Sequence, residues 1–412
     1  SVETGSVIAV TTRFTQTNAC FYSHAHTFGG TEPVQSETYR LTFPKTLTAK
    51  LQMFHPGTVT CTAETNDTSV VLTCHAPRQT VIRSEGQLPP WHLFQPTLYV
   101  SFGDWQTYAR RLSRAVDAVS DGDTAARKRA KALVKGLKDP RARILAIRDD
   151  VLRSIRPAGP SFLELPLDCL SAPDRTLADQ YGHPADRAIL LAEMLDAAGF
   201  EAEILLASSD TTEYPAYAQP LREVPQPSYY CNPLVAVHHK GVTYYLNEGD
   251  QYDELGVSRF DAAPALMLSG KTATLTVAKP FSDTGKNVMS IDLDACGTAR
   301  ITVTNWFYGT SAGPFRKEYK EMLPEDRRRH HLELVGAISK SAEAASELVT
   351  DTTVFPGYRT FAVTAANYAV ADGNILTLLI PDVAGALFPL QADTRENPLF
   401  LGVTDTSELV CR

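Results

Sequence analysis

Three residues in the middle of the chain could take part in nucleophilic chemistry: Cys169, His183 and Cys231. A cysteine becomes a strong nucleophile when a helix N-terminus or a neighbouring imidazole stabilises its thiolate. Neither cysteine lies at a predicted helix N-terminus, and neither has a base nearby in the sequence. A cysteine-dependent amide hydrolase or transamidase that uses Cys231 or Cys169 is therefore an alternative hypothesis, not the leading one.

His183 precedes the best-defined predicted element of the chain, a helix that ends near Gly199. Pro184 suits the first helical position, Asp186 suits the first turn, and Gly199 suits the C-terminal cap. Apolar residues cover most of the surface of this helix, which predicts that it is buried. The helix leads directly into a strand over residues 201–207.

A hairpin is predicted after a Pro- and Tyr-rich loop over residues 208–230. The run 234–238 pairs with the run 242–246 around Lys240-Gly241. Positions 233 and 247 lie symmetrically about residue 240, so they are predicted to be cross-strand neighbours.

These segments resemble the motifs of bacterial transglutaminase-like proteins, a superfamily with a papain-like fold. In that family a Gly, then Asp or His, then the catalytic Cys opens an apolar helix, and Gly182-His183-Pro184 is similar to this start. The segment 232–237 (NPLVAV) resembles the family's Asn-His-Val strand, and 244–247 (YYLN) resembles its aromatic-Leu-Asp strand. The run 96–101 before Asp104-Trp105 resembles the join to an N-terminal β domain of unknown function.

The resemblance implies that a catalytic Cys, His and Asp would occupy positions 184, 233 and 247. This chain has Pro184, Pro233 and Asn247 there. Proline is neither a nucleophile nor a proton acceptor, and asparagine cannot stabilise an imidazolium as a carboxylate does. The resemblance therefore predicts a degenerate triad and a pseudoenzyme. Both prolines also fit as structural residues, one at a first helical turn and one at the start of a strand.

The leading functional hypothesis is a non-catalytic binding or scaffolding protein. Its degenerate cleft is predicted to bind a peptide or a glycan, or to contact an envelope protein partner. The residues predicted to line that cleft are His183, Asp186, Asn232, Tyr245 and Asn247. A purely structural spacer in a larger assembly is a further alternative. The family resemblance implies a bacterial protein of the periplasm or the extracellular space.

Composition argues against several other classes. The net charge is −8, from 39 basic and 47 acidic residues, so nucleic-acid binding has no electrostatic support. No apolar run approaches the roughly 20 residues of a membrane-spanning helix. No phosphate loop, dinucleotide fingerprint, calcium loop or CxxC pair is present, so no cofactor is predicted. His24 and His26 could share one strand face, but no third metal ligand accompanies them.

The predicted fold class is α+β, with a papain-like core between β-sandwich-like flanks. The predicted domains are a β-rich N-terminal region over 1–101, a transglutaminase-like core over 102–266 and a β-rich C-terminal region over 267–412. The first includes a predicted strand over 7–10, and the last includes one long helix over 324–349.

Cys61 and Cys74 flank a predicted hairpin and could form a cross-strand disulfide. The chain opens with polar residues and no Met, which suggests a processed N-terminus.

Overall fold

The computed structural model describes residues 5–13, 20–120, 125–165, 167–208, 222–247, 249–276, 284–378, 394–400 and 406–411. The α-helices with described bounds are α1 (Trp105–Ser120), α2 (Ala125–Leu133), α3 (Pro140–Ser154), α4 (Pro173–Asp179), α5 (Pro184–Ala197), α6 (Ala312–Glu321) and α7 (Pro324–Ile338). The first strands are β1 (Ser23–Thr27), β2 (Glu37–Pro44), β3 (Lys50–Phe54), β4 (Thr60–Thr65), β5 (Ser69–Ala76), β6 (Thr97–Ser101), β7 (Arg156–Pro157) and β8 (Tyr181–Gly182). The central strands are β9 (Glu201–Ser208), β10 (Tyr230–His239), β11 (Val242–Leu246), β12 (Pro264–Met267) and β13 (Thr272–Thr274). The last are β14 (Thr284–Leu293), β15 (Ala299–Phe307), β16 (Ala342–Ala344), β17 (Val349–Asp351), β18 (Gly357–Ala365), β19 (Ala369–Asp372), β20 (Ile375–Leu378) and β21 (Thr406–Cys411).

The N-terminal region forms two three-stranded sheets, in the orders β1-β6-β3 and β2-β5-β4. Leu72 on one sheet and Val100 on the other belong to the same buried cluster, so the two sheets share a core. A disulfide joins Cys61 to Cys74, which are paired residues of β4 and β5. The turn between these strands is fixed by Asn66, whose side-chain oxygen accepts from the backbone N–H of Ser69 at 2.7 Å.

The predicted strand over residues 7–10 is wrong, because these residues are not assigned to a strand. Val7 is 95% exposed. The β-branched composition that suggested a strand is therefore not matched by a pairing partner or by an apolar surface among the described residues.

The central sheet has the strand order β11-β10-β9-β12-β13 and is antiparallel throughout. One face carries the helices: α5 and α3 pack on Val235 and Val237, and α1 packs on Leu206. The opposite face carries a separate cluster around Phe260. The expected domain boundary after residue 266 falls inside β12, and the sheet continues to Thr274.

α3 and α5 begin with the signals that their sequences carry. Asp139 accepts from the backbone N–H groups of Arg141 and Ala142, and Pro140 is the first helical residue. α5 ends at Ala197, and Gly199 follows the C-cap residue Ala198 with a φ of +84°, which is readily available to glycine.

The C-terminal region is a sheet in the order β16-β18-β15-β14-β21, with β17 also paired to β18. The single long helix predicted over 324–349 is wrong in extent. The helix stops at Ile338, because Ser339 is extended (φ −160°, ψ 152°), and β16 and β17 follow it. A second helix, α6, precedes it. No described helix is both long and apolar enough to cross a membrane.

Candidate functional site

The start of α5 is closed by two of the predicted site residues. His183 is the N-cap, and its Nδ1 accepts from the backbone N–H of Ala185 at 3.1 Å. Asp186 accepts from the backbone N–H of His183 at 3.2 Å and from that of Ser171 at 2.8 Å. Only 4% of His183 and 5% of Asp186 is exposed. Both side chains therefore satisfy backbone donors instead of lining an open cleft.

The side chain of Asn247 links the other two positions that the family resemblance singles out, Pro184 and Pro233. Its Nδ2 donates to the carbonyl oxygen of Pro184 and to that of Pro233, each at 3.0 Å. The first turn of α5, the strand β10 and the residue after β11 thus meet at one amide group. Asn247 has a φ of +83°, which asparagine adopts more readily than most residues. We call Pro184, Pro233 and Asn247 the proline–asparagine junction.

The hairpin register differs by one residue from the predicted one. Val235 lies opposite Leu246, whereas symmetry about residue 240 would place it opposite Tyr245. The reason is a two-residue turn, in which both Lys240 (φ +49°) and Gly241 (φ +79°) have positive φ. Asn247 is therefore not the cross-strand partner of Pro233, and it reaches Pro233 through its side-chain amide beyond the end of β11.

Two predicted cleft residues, Asn232 and Tyr245, lie on the face of the central sheet opposite to that of Pro233 and the helices. Tyr245 pairs with Ala236 and packs against the cluster around Phe260, and burial raises the pKa of its hydroxyl. Asn232 pairs with Ala207 of that face and donates to its carbonyl at 3.3 Å. Side chains alternate along a strand, so these residues point away from Pro233.

The junction offers no nucleophile and no base. The Nδ1 lone pair of His183 is engaged by the Ala185 N–H, which leaves the proton of a neutral imidazole on Nε2. That Nε2 and the Oδ1 of Asn247 are buried and have no hydrogen-bond partner among the described residues. Burial lowers the pKa of the neighbouring Arg187. The arrangement can hold helix and hairpin together, and the three junction residues include neither a thiol nor an imidazole.

The two thiols of the alternative hypothesis lie apart from the junction's hydrogen bonds. Cys231 is on β10, and its Sγ is 3.7 Å from Asn232 Nδ2. Burial, with the nearby Cys20 and Cys231 sulfurs, raises the pKa of Tyr108. Cys169 is exposed in a short 3-10 turn. Neither cysteine begins one of the α-helices that the structure describes.

The histidine pair of β1 is packed in an aromatic stack. The rings of His24 and His26 lie 6.0 Å apart, and Tyr39 stacks against both. His26 Nε2 is 3.0 Å from Glu37 Oε1, and burial together with His26 lowers the pKa of His24. Within the described ranges no three His, Cys, Asp or Glu side chains are placed to hold a metal.

No protein-family model matches the chain, and no curated protein matches it. A solved structure from Parabacteroides distasonis, described as a "putative protease", is similar over 85% of this chain and 70% of its own, with 14% identity and a TM-score of 0.51. A "putative cysteine protease" from Cytophaga hutchinsonii is similar over 57% of this chain and 80% of its own, with 10% identity and a TM-score of 0.25, which is too low to support an argument. The first likeness shows that this mixed helix-and-strand fold is shared with a protein described as a protease.

Proposed function

We propose that the chain is a catalytically inactive protein with a transglutaminase-type, papain-like core, and that it acts as a binding or scaffolding module. One observation carries the proposal: the Asn247 amide donates to the carbonyls of both Pro184 and Pro233. The three positions that a Cys–His–Asp triad would occupy are thus brought together, although their side chains cannot do its chemistry.

The chemistry of the junction explains why it suits a non-catalytic role. In a working triad the third residue accepts a hydrogen bond from an imidazole, through a carboxylate oxygen in Cys–His–Asp or an amide oxygen in Cys–His–Asn. Position 233 is a proline, so this chain has no imidazole there to donate to Asn247. Here the third residue is used as a donor, and both of its N–H groups are directed at backbone carbonyls. Replacing the amide by a carboxylate would break both bonds. The residues present therefore favour fixing α5 to the hairpin over reaction.

The family resemblance and the disulfide support a location outside the cytoplasm. A disulfide persists in oxidising compartments, and Cys61–Cys74 joins two strands of the N-terminal region. We therefore place the protein in the periplasm or outside the cell. There it would bind a peptide, a glycan or an envelope protein.

An activity assay on the purified full chain tests the proposal. Hydrolysis of fluorogenic peptide amides and amine incorporation into casein are measured before and after alkylation with iodoacetamide. We expect no turnover above the buffer baseline, with no change on alkylation. Turnover that alkylation abolishes and that the Cys231→Ser or Cys169→Ser variant also loses would overturn the proposal in favour of a thiol hydrolase or transamidase.

A further inference from the structure

A cavity of about 400 Å³ lies just beyond the junction, between the segment 249–259 and the start of α6. Its volume is within the range of about 300–1,000 Å³ typical of small-ligand sites. The side chains that the argument uses are Asp250, Asp253, Val257, Arg259, Pro314 and Lys317.

Two glycines leave room for the Asp253 carboxylate in the cavity wall. A Cβ built on Gly249 would overlap one carboxylate oxygen of Asp253, and a Cβ built on Gly313 would overlap the other. Gly249 belongs to the segment after the hairpin, whereas Gly313 lies in the first turn of α6. Any larger residue at either position would displace the carboxylate. Glycine at both positions is therefore needed for the carboxylate to lie where it does.

The segment that carries Asp253 is held from both sides. Arg148 of α3 donates to the carbonyl of Gln251 at 3.3 Å. Arg316 of α6 donates to the carbonyl of Tyr252 at 3.3 Å and forms an ion pair with Glu254 at 2.9 Å. A cavity wall fixed in this way binds a ligand without first having to be ordered.

The cavity presents charges of both signs and some apolar surface. Asp253 accepts from the backbone N–H of Asp250 at 2.5 Å, and among the described residues no cation lies within ion-pair distance of its carboxylate. Burial raises the pKa of Asp253, while the charges of Arg148 and Arg316 act in the opposite direction. A ligand cation placed against the carboxylate would offset the cost of its burial. Lys317, half-exposed and 2.9 Å from Asp250, supplies a cation, and Arg259 supplies a second one. Val257 and Pro314 supply apolar contacts.

We propose that this cavity binds a small zwitterion, an amino acid or a dipeptide, with its ammonium group on Asp253 and its carboxylate towards Lys317 and Arg259. The lining includes the carboxylate of Asp253 and two cations, Lys317 and Arg259, so each end of a zwitterion meets an opposite charge, whereas a simple cation or anion uses only one of them. This inference rests on the proposed function of a binding protein, and it names a site and a ligand class for it.

Calorimetric titration of the full chain tests the inference with four probes. Gly-Leu and L-leucine carry both charges, 3-methylbutylamine carries only the ammonium group, and 4-methylpentanoate carries only the carboxylate. We expect saturable binding of a zwitterion, and binding of each single-charge probe that is weaker by about tenfold or more, as loss of one hydrogen bond to a charged group predicts.

Two variants and one matched control locate the site. Asp253→Asn is expected to weaken binding of the zwitterion by about tenfold or more without affecting 4-methylpentanoate. Lys317→Met removes a half-exposed cation and is expected to weaken binding of the three probes that have a carboxylate. Glu343→Gln, on exposed β16, is expected to leave every titration unchanged.

No saturable heat with either zwitterion up to about 10 mM, which is weaker than a free energy of about −3 kcal/mol, would overturn the inference. Binding that Asp253→Asn leaves unchanged would also overturn it, because the ligand would then lie elsewhere. These outcomes leave the absence of amide chemistry untouched. Conversely, thiol-dependent turnover with intact zwitterion binding would overturn the proposed function and leave this site in place.

Discussion

The proline–asparagine junction includes Asn247, and the lining of the cavity begins two residues later at Gly249, yet the two regions differ in how they are filled. At the junction one amide satisfies two backbone carbonyls, and the neighbouring His183 and Asp186 are almost fully buried. At the cavity Gly249 and Gly313 leave room in the wall for the Asp253 carboxylate. The first region is closed by hydrogen bonds to backbone groups, whereas the second keeps a volume of about 400 Å³ beside a confined carboxylate.

If the chain is the non-catalytic binding protein that we propose, this difference indicates where a ligand would bind. A closed polar junction contributes stability but leaves no room for a ligand. A partly buried carboxylate without an ion-pair partner among the described residues costs stability, and such a cost is retained more readily where a ligand offsets it. We therefore place any ligand-binding role beside the junction and not in it.

The largest expected effect on the free energy of unfolding is at the proline–asparagine junction. Asn247→Asp replaces the donor by a carboxylate that faces two carbonyl oxygens, and we expect the free energy of unfolding to fall by about 3 kcal/mol at neutral pH. Asn247→Ala removes the same bonds without adding a charge and is expected to cost about 1.5 kcal/mol. Urea unfolding of both variants measures the difference. Equal losses would mean that the amide is not directed at the carbonyls.

A smaller effect on the free energy of unfolding is expected at the cavity. Gly313→Ala pushes a methyl group into the Asp253 carboxylate, and we expect the free energy of unfolding to fall by about 2 kcal/mol. Gly336 lies within α7 with no heavy atom within 4 Å of a built Cβ, so Gly336→Ala is the matched control. That control is expected to stabilise by about 0.5–1 kcal/mol, as helix propensity predicts. A neutral Gly313→Ala would show that the carboxylate is not confined there.

The smallest expected effect is a pH dependence at the cavity. Burial raises the pKa of Asp253 in the folded state, so the folded chain binds that proton more tightly than the unfolded chain does. The contribution of Asp253 to the free energy of unfolding therefore increases as pH falls from about 7 towards about 4. Asp253→Asn lacks this contribution. Its stability relative to the natural chain should be highest at neutral pH and should decline as the pH falls, and a flat difference would contradict the assigned environment.

The elements around the junction could be predicted because their signals are local. Pro184, the apolar run and Gly199 mark the ends of α5, and Lys240-Gly241 marks the hairpin turn. The face of the sheet on which each hairpin residue lies could not be predicted equally well. A register error of one residue made Asn247 the cross-strand partner of Pro233, and it left the side of Tyr245 unrecognised. His183 was recognised as a neighbour of the site but not as a cap, since histidine is uncommon in that role.

The cavity could not be predicted from the sequence, because the residues that line it are distant from one another in the chain. Gly249 and Asp253 are separated from Gly313 and Lys317 by about 60 residues, and no short motif links them. The helix α6 was not predicted either, although Pro314 in its first turn was an available signal.

A double-mutant cycle on Pro233→His and Asn247→Asp tests most directly whether the junction is a former catalytic site. Histidine at 233 could donate to a carboxylate at 247, so we expect the two changes together to be more stable than their sum by about 1 kcal/mol or more. Val242→His, at the other end of the hairpin, combined with Asn247→Asp is the control and is expected to be additive. Additivity of the first pair within about 0.5 kcal/mol would contradict the account, because the two positions would then not be related as a His–Asp pair.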